Sequence, residues 1–289
     1  MKRVRKAVFP VAGLGTRMLP AAKTVAKEML TVVDKPLIHY VLAEARAAGI
    51  EHFILVTGRG KGAMEDYFDH HVELEATLRA KGKDELLKQL LADLPREGEV
   101  SYVRQMEPKG LGHAVWCARD IVGDEPFAVV LPDMIMDAEP GALRQAVEAH
   151  EATDGGNIIV VEPCPPGEAH KYGIVACEGA GRLTRMTGMV EKPKPGTEPS
   201  NLFISGRYVL QPEIFAILEK GERGAGGEIQ LTDAMRRLME TQAFHALEYD
   251  GTTYDCGDKI GWLRANIALA LKHPELGEAA RAALEPLFG

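Results

Sequence analysis

Apolar and polar positions follow two rhythms along this chain. Short apolar runs recur as "KAVFPV" (6–11), "HFILVTG" (52–58), "EVSYVRQ" (99–105) and "PFAVVLPD" (126–133). Runs of this length, bounded by turn formers, read as strands buried in a sheet. Helix-period stretches lie between them. In 36–49, Leu37, Ile38, Val41, Leu42, Ala45 and Ala48 fall on one stripe, and Gly49 ends it. "HAVWCARDI" (113–121) also reads as a helix. The alternation predicts an α/β fold: a Rossmann-like, mixed and mainly parallel central sheet flanked by helices. Such sheets bind ligands beyond the carboxyl ends of their strands. The glycine-rich loop after the first strand and Asp133 after the fourth both belong to that edge.

Two regions depart from this rhythm. Residues 66–98 are charged and rich in Leu, Lys and Glu, which predicts a helical insertion. Beyond about 155, "NIIVVEP", "YGIVACEG", "RLTRMTGMVEKP" and "NLFISGRYVL" are strand-like and separated by Gly/Pro turns. A β-rich portion therefore continues the first sheet. Helix pattern returns from Lys259 in "KIGWLRANIALALKH" and "PELGEAARAALEPLF". The expected division is 1–137, then 138–258 as the second part of the same α/β domain, then 259–289 as C-terminal helices. No internal repeat is visible.

Composition narrows the function classes. The 289 residues are 46% hydrophobic and 26% charged, an ordinary globular balance. A net charge of −8 disfavours sequence-independent nucleic-acid binding, which runs on surplus positive charge. The four cysteines, Cys117, Cys164, Cys177 and Cys256, make no C-x-x-C pair and match no zinc spacing. They read as reduced thiols. The apolar run after "MKRVRK" is too short for a signal peptide, and no segment is long enough to span a membrane. The expectation is a soluble, cytoplasmic protein.

The loop "AGLGTR" is glycine-rich but matches neither common phosphate loop. A P-loop needs Lys-Ser/Thr after its last glycine, and here Thr16 and Arg17 follow Gly15. The dinucleotide fingerprint needs a third glycine where Met18 stands. Gly13 and Gly15 would let backbone approach an anion, Arg17 offers a forked donor, and Lys27 adds a point charge. Lys23 is also near in sequence. Taken alone, the loop reads equally as a tight turn with solvated bases.

The whole constellation is more specific. "GLGTRMLPAAKTVAKEML", "VRQ", "KGLGHAV", "LPDMIMD", "YGIV", "VEKP", "SNLFISGRYVL", "GGEIQLTD" and "YDCGDKIGW" follow one another over residues 5–270. Together they resemble the sugar-1-phosphate nucleotidylyltransferases. "GLGHAV" and "DCG" bring the chain closest to the uridylyl branch. The resemblance implies a nucleotide-diphospho-sugar transferase fold with a β-rich sugar side. It implies formation of UDP-glucose and pyrophosphate from UTP and α-D-glucose 1-phosphate, with Mg²⁺ as cofactor and no nucleic-acid or membrane partner. A homodimer or homotetramer is also implied, its contacts suited to the C-terminal helices. Thymidylyl or other nucleotidylyl transfer, and a silent nucleotide-sugar sensor, are the alternative readings.

Roles follow by resemblance, residue by residue. Asp133 and Asp255 stand where the family has its metal ligands. Arg17 and Lys27 resemble the groups that hold the triphosphate and stabilise the reacting phosphorus. Ala12, Gly13, Leu14, Gly15, Gln105 and Gly110 would line the nucleotide. Gly173, Glu191, Lys192 and Asn201 would meet the sugar phosphate, with Glu228 a weaker candidate and Lys192 also counted as catalytic. Without the resemblance, Asp133 is a turn residue, Asp255 a loop acid, and Glu191 with Lys192 a surface charge pair. Asp137 and Asp250 are weaker ligand candidates, and His113 reads as structural. His70 and His71 read as part of a solvated helical face, and Met29, Met134 and Met136 as core filling. Two departures stand out: Ala26 where Pro is usual before the lysine, and Asp258 where Asn is common after "DCG".

Overall fold

The computed structural model describes residues 2–287. Along the chain, β1 (Lys6–Pro10) leads through the glycine loop to the small hairpin β2 (Thr31–Val32) and β3 (Lys35–Pro36), then to α1 (Leu37–Ala47) and β4 (His52–Thr57). Three short helices follow, α2 (Gly62–Tyr67), α3 (Val72–Ala80) and α4 (Asp84–Ala92), of which α3 and α4 lie within the charged stretch 66–98. β5 (Val100–Arg104), α5 (Leu111–Cys117), α6 (Arg119–Val122), β6 (Phe127–Val130) and β7 (Met134–Asp137) complete the first part. The second contains α7 (Ala142–Ala152), β8 (Asn157–Pro163), β9 (Gly173–Glu178), β10 (Leu183–Glu191), β11 (Leu202–Leu210), α8 (Ile214–Leu218), α9 (Leu231–Leu238), β12 (Phe244–Glu248) and β13 (Thr252–Asp255). Two helices close the chain, α10 (Lys259–Lys272) and α11 (Gly277–Leu284).

Nine strands form one sheet in the order β5-β4-β1-β6-β11-β8-β12-β10-β9. Its two halves differ in kind. β5, β4, β1 and β6 are mutually parallel, as helical crossovers require. β1 and β4 are buried almost along their whole length, because helices cover both faces. From β11 onward the pairing is antiparallel except for β8 with β12. Here one short glycine-containing turn joins β9 to β10, and β10 alternates exposed with buried positions, so one face meets solvent.

The core lies on both faces of the sheet. Ile38, Val41 and Ala45 of α1 and Leu143 of α7 pack with Phe9, Phe53 and Val160 on one side. Val115 of α5, Phe215 of α8 and Met235 of α9 pack with Val8, Val129 and Tyr208 on the other. A third cluster joins Val32, Leu37, Ile135, Cys256 and Ala265, and seats α10 beside the first part of the chain.

One small element decides the functional edge. β7 and β13 pair as an antiparallel ribbon outside the main sheet, with Met134 opposite Asp255 and Asp137 opposite Thr252. It brings Asp133, in the turn between β6 and β7, beside the end of β13, although they are far apart in sequence.

Candidate active site

The glycine loop leaves β1 at its carboxyl end. Gly15 has φ 65° and leads a single 3₁₀ turn, Thr16–Met18. A Cβ added to Gly15 would lie 3.2 Å from the Cβ atoms of Ala22 and Lys27. Glycine at this position lets the segment carrying Lys27 fold back against the loop. Around Gly13 there is open space, and Leu14 is exposed, so this part of the loop is open to solvent and to a ligand.

Lys27 starts the third 3₁₀ turn of this loop, Lys27–Met29, after Thr16–Met18 and Ala21–Lys23. Ala26 before it has φ −54°, inside proline's range, and its N–H donates to no backbone carbonyl among the described residues. Alanine therefore holds the conformation that a proline would impose, and Lys27 stays in place.

Four charges converge at the ribbon. Lys27 Nζ donates to Asp133 Oδ2 at 2.5 Å, and Arg17 Nη2 lies 3.7 Å from the same oxygen. Arg17 Nη1 donates to Asp255 Oδ2 at 3.4 Å. Cys256 N–H donates to the Asp133 carbonyl (2.7 Å), and Gly257 N–H to Asp255 Oδ1 (2.8 Å). A Cβ on Gly257 would sit 2.5 Å from Arg17 Nη2 and 2.8 Å from both Asp133 Oδ2 and Asp255 Oδ1. The glycine of "DCG" thus keeps open a small space bordered by both carboxylates. Asp258 accepts from the N–H groups of Ile260 and Gly261 at 2.9 Å each and caps α10, a task that aspartate and asparagine perform equally well.

Burial alone would raise the Asp133 pKa, but the ammonium of Lys27, its hydrogen bond and Arg17 together hold it below the ordinary carboxylate value. Burial and the neighbouring Asp133 push Asp255 up, and Arg17 only partly opposes them. Burial would lower Lys27, yet the Asp133 and Glu28 carboxylates keep it above its usual value.

This donor set suits a divalent cation shared with a ligand. Mg²⁺ takes one or two carboxylates and completes its shell with phosphate oxygens and water. Asp133 and Asp255 supply two carboxylates around one space, and no cluster of three acid, His or Cys side chains with metal-binding spacing exists among the described residues. Asp137 pairs with Lys272 at the far end of the ribbon, and Asp250 lies beyond it, its carbonyl accepting from Gln145. His70 binds Glu75, while His71 caps α3.

On the same edge of the sheet, Gln105 follows β5 and is buried. Its Nε2 donates to the Gly110 carbonyl (3.0 Å) and lies 3.0 Å from His113 Nδ1. His113 thus helps hold the amide, leaving Oε1 without a described partner. At Gly110, φ is 111° and a Cβ would lie 2.7 Å from the Ile229 carbonyl oxygen. The close approach lets Ile229 N–H donate to the Lys109 carbonyl (2.7 Å) and Gly112 N–H to the Ile229 carbonyl (2.9 Å). Glu228 sits in this latch.

On the β-rich side, β9 and β10 pair Gly173 with Glu191. Glu191 Oε2 accepts from Thr232 Oγ1 at 2.8 Å, and a Cβ on Gly173 would lie 3.2 Å from that oxygen. Lys192 has φ 47°, a left-handed conformation rare outside glycine, and its N–H donates to the Tyr172 carbonyl at 3.0 Å. Its Nζ lies 3.6 Å from Glu191 Oε1 and is half exposed. Asn201 is exposed; its carbonyl accepts from Cys164 N–H, and it makes no described contact with Glu191 or Lys192. Lys23 is exposed and forms no ion pair among the described residues.

Sequence reasoning passes over several residues that build this edge. Glu28 is fully buried and accepts from Lys61 Nζ at 2.7 Å, anchoring the Lys27 turn to the loop after β4. Arg207, also fully buried, contacts Glu44 and the segment that carries Asp133. Thr232 orients Glu191. The available signals are an acid directly after Lys27 and an arginine inside an apolar strand, since buried charges are seldom unpaired.

The nucleotidyl transferase family profile matches residues 6–270. The UTP–glucose-1-phosphate uridylyltransferase of Bacillus subtilis strain 168 is 51% identical over 96% of this chain and 94% of its own length. A UTP-bound UGPase from Acinetobacter baumannii superposes with a TM-score of 0.90 at 43% identity, covering 97% of this chain and 98% of its own. A UDP-glucose pyrophosphorylase crystallised with UDP-glucose does so with a TM-score of 0.84 at 38% identity, over 93% of this chain and 100% of its own. With full-length likeness in sequence and in fold, and the loop, ribbon and paired carboxylates in place, the chain belongs to the nucleotidyl transferase family, among its UTP–glucose-1-phosphate uridylyltransferases.

Proposed function

We propose that this chain transfers the uridylyl group of UTP to α-D-glucose 1-phosphate, giving UDP-glucose and pyrophosphate. The observation that carries the reading is the convergence of Arg17, Lys27, Asp133 and Asp255 on the space beside Gly257. Likeness to a UTP-bound enzyme and to one crystallised with UDP-glucose supports the choice of substrates.

The nucleophile is a phosphate oxygen of the sugar phosphate. A phosphate monoester has its second pKa near about 6, so at neutral pH it is mostly deprotonated already and needs no general base. The barrier is the repulsion of two polyanions and their alignment for in-line displacement at the α-phosphorus. Asp133 and Asp255 would hold Mg²⁺, which when bound neutralises charge on the phosphate oxygens. Arg17 offers its planar fork to the triphosphate, and Lys27 aims a buried ammonium at the charge that develops on the reacting phosphoryl group. The free Oε1 of Gln105 can accept the imide N–H of uracil while Gly110 and the loop Ala12–Gly15 supply backbone contacts. Glu191 would accept from glucose hydroxyls, Lys192 would hold the sugar phosphate, and Gly173 admits the sugar close to backbone.

No helix among the described residues is long and apolar enough to cross a membrane. Our reading includes a cytoplasmic homodimer or homotetramer with subunit contacts on α10 and α11, testable by light scattering. The activity is tested by following UDP-glucose from UTP and glucose 1-phosphate with and without Mg²⁺, against dTTP, GTP and CTP. Selective, metal-dependent formation of UDP-glucose is expected. Nucleotide binding without product would overturn the assignment.

A further inference from the structure

We infer that Arg207, clamped by Glu44, is a positioning residue that sets the place of Asp133 and hence the metal affinity of the site. The inference rests on the reading of Asp133 as a metal ligand.

Arg207 lies in β11, one strand from β6, with its side chain wholly buried. The pairing of β11 with β8 shifts register between Ile204 and Tyr208, and such an irregularity re-aims the side chains within it. At Gly206 φ is 91°, and a Cβ there would lie 3.1 Å from the Leu131 side chain. Leu131 N–H donates to the Gly206 carbonyl at 2.9 Å. The strand therefore presses directly against the segment Leu131-Pro132-Asp133-Met134.

Around this segment the guanidinium closes a clasp. Nη1 donates to the carbonyls of Leu131 (3.1 Å) and Gly206 (3.2 Å), and Nη2 donates to the carbonyl of Met134 (2.7 Å). Leu131 and Met134 flank Pro132 and Asp133, so one planar group grips both sides of the turn that presents the carboxylate. The remaining donor directions meet Glu44. Nε is 3.1 Å from each Glu44 oxygen, and Nη2 is 2.6 Å from Oε2. Glu44 in turn accepts from Leu143 N–H at the start of α7 (2.9 Å). Four elements are thus tied to one ion: α1, α7, β11 and the Asp133 turn.

Stability alone is a poor reason for this arrangement. Desolvating an ion pair costs as much as its attraction returns, and apolar replacements are often as stable. What an apolar pair lacks is direction. The planar fork fixes the directions of its bonds to the carbonyls on either side of the turn, whereas the three N–H donors of a lysine radiate from one rotatable point and impose no such geometry. Placement of a ligand to within a fraction of an ångström is what such a fork supplies.

The test uses the full chain and Mn²⁺ as the probe. Binding of Mn²⁺ is followed without nucleotide, which would itself chelate the ion, by the loss of its free-ion electron paramagnetic resonance signal. Arg207→Lys keeps the charge opposite Glu44, and the double variant Glu44→Met with Arg207→Met removes both charges while conserving volume, so both are built to keep the fold. In each, the Mn²⁺ dissociation constant is expected to rise at least tenfold and kcat to fall by roughly ten- to a hundredfold, with the KM for glucose 1-phosphate within threefold. A purely structural role would lower the melting temperature and leave Mn²⁺ affinity alone. Affinity within threefold of wild type in the folded variants overturns the inference. Asp133→Asn, titrated in parallel, separates the two readings. If it loses Mn²⁺ while Arg207→Lys does not, only the positioning role falls. If Asp133→Asn itself binds Mn²⁺ normally, the metal reading falls and takes this inference with it.

Discussion

The two ends of the candidate site, the ribbon and the β-rich side, are built on different terms. At the ribbon end, the side chains of Lys27 and Asp133 are 16% and 13% exposed and already in contact. At the β-rich end Lys192 is 51% exposed and holds Glu191 only loosely, at 3.6 Å. The first end is assembled before any substrate arrives, because each buried charge must find its counter-charge inside the protein. The second keeps its lysine in water and spends the rigidity on backbone instead, with Lys192 in a left-handed conformation tied to Tyr172. A charge at the first end acts through a low dielectric; at the second it is screened. The ribbon end is thus suited to stabilising a transition state, and the other to selecting and holding a ligand.

The sharpest way to break this comparison is to remove one lysine from each end. Lys27→Ala is expected to lower kcat by roughly 10² to 10³, the loss typical of removing one preorganised electrostatic contact. Steady-state turnover near wild type would take Lys27 out of the mechanism. Lys192→Ala should act mainly on the KM for glucose 1-phosphate, by roughly tenfold, with a clear dependence on ionic strength and little change in the KM for UTP. Were both variants to change the same parameter by the same factor, the two ends would not differ as described.

A third change tests what lies beneath the Lys27 turn. Burial pushes the Glu28 carboxyl above its ordinary value, while Lys61 and Lys27 pull it down. Glu28 Oε1 has no described partner, so the carboxylate depends on Lys61. Lys61→Met removes the counter-charge hydrogen-bonded to that buried carboxylate and leaves only the unbonded Lys27 nearby, at a cost of roughly 3–5 kcal/mol. Thermal unfolding should move down by roughly 10 °C. A shift under about 2 °C would mean that Glu28 is neutral or solvated in the folded protein. The smallest effect belongs to Ala26→Pro. The backbone already has proline's φ, so the substitution should raise the melting temperature by roughly 1–2 °C through a restricted unfolded chain. Turnover should stay within twofold of wild type, and a larger loss would show that the Lys27 turn has moved.

Local chemistry made much of the molecule legible. The 3.6-residue stripe in 37–48 reads directly as α1, whose buried residues are Leu37, Ile38, His39, Val41, Leu42 and Ala45. The continuous apolar runs at 6–11 and 52–58 read as strands covered on both faces, which is what β1 and β4 are. Glycine at 15 and 110 is explained by positive φ and close neighbours. The ribbon of β7 with β13 was not legible in the same way. Both strands are four residues long, and their pairing joins segments separated by more than a hundred residues. A pattern of apolar and polar positions carries no term for such a contact. Thr232 stayed hidden for a related reason: it acts by holding another side chain, Glu191, rather than by its own chemistry.

The sequence by itself determined the alternation of strand and helix, the edge on which a ligand would bind, and the kinds of charged group available there. These follow from periodicity and turn residues, which act over a few positions at a time. Only the tertiary structure decided which charges meet. Asp133 finds Lys27 and Asp255, Glu28 finds Lys61, and Arg207 finds Glu44 through packing between remote elements. A buried ion must be neutralised by whatever the fold brings within about 3 Å, and distance along the chain says nothing about that distance in space.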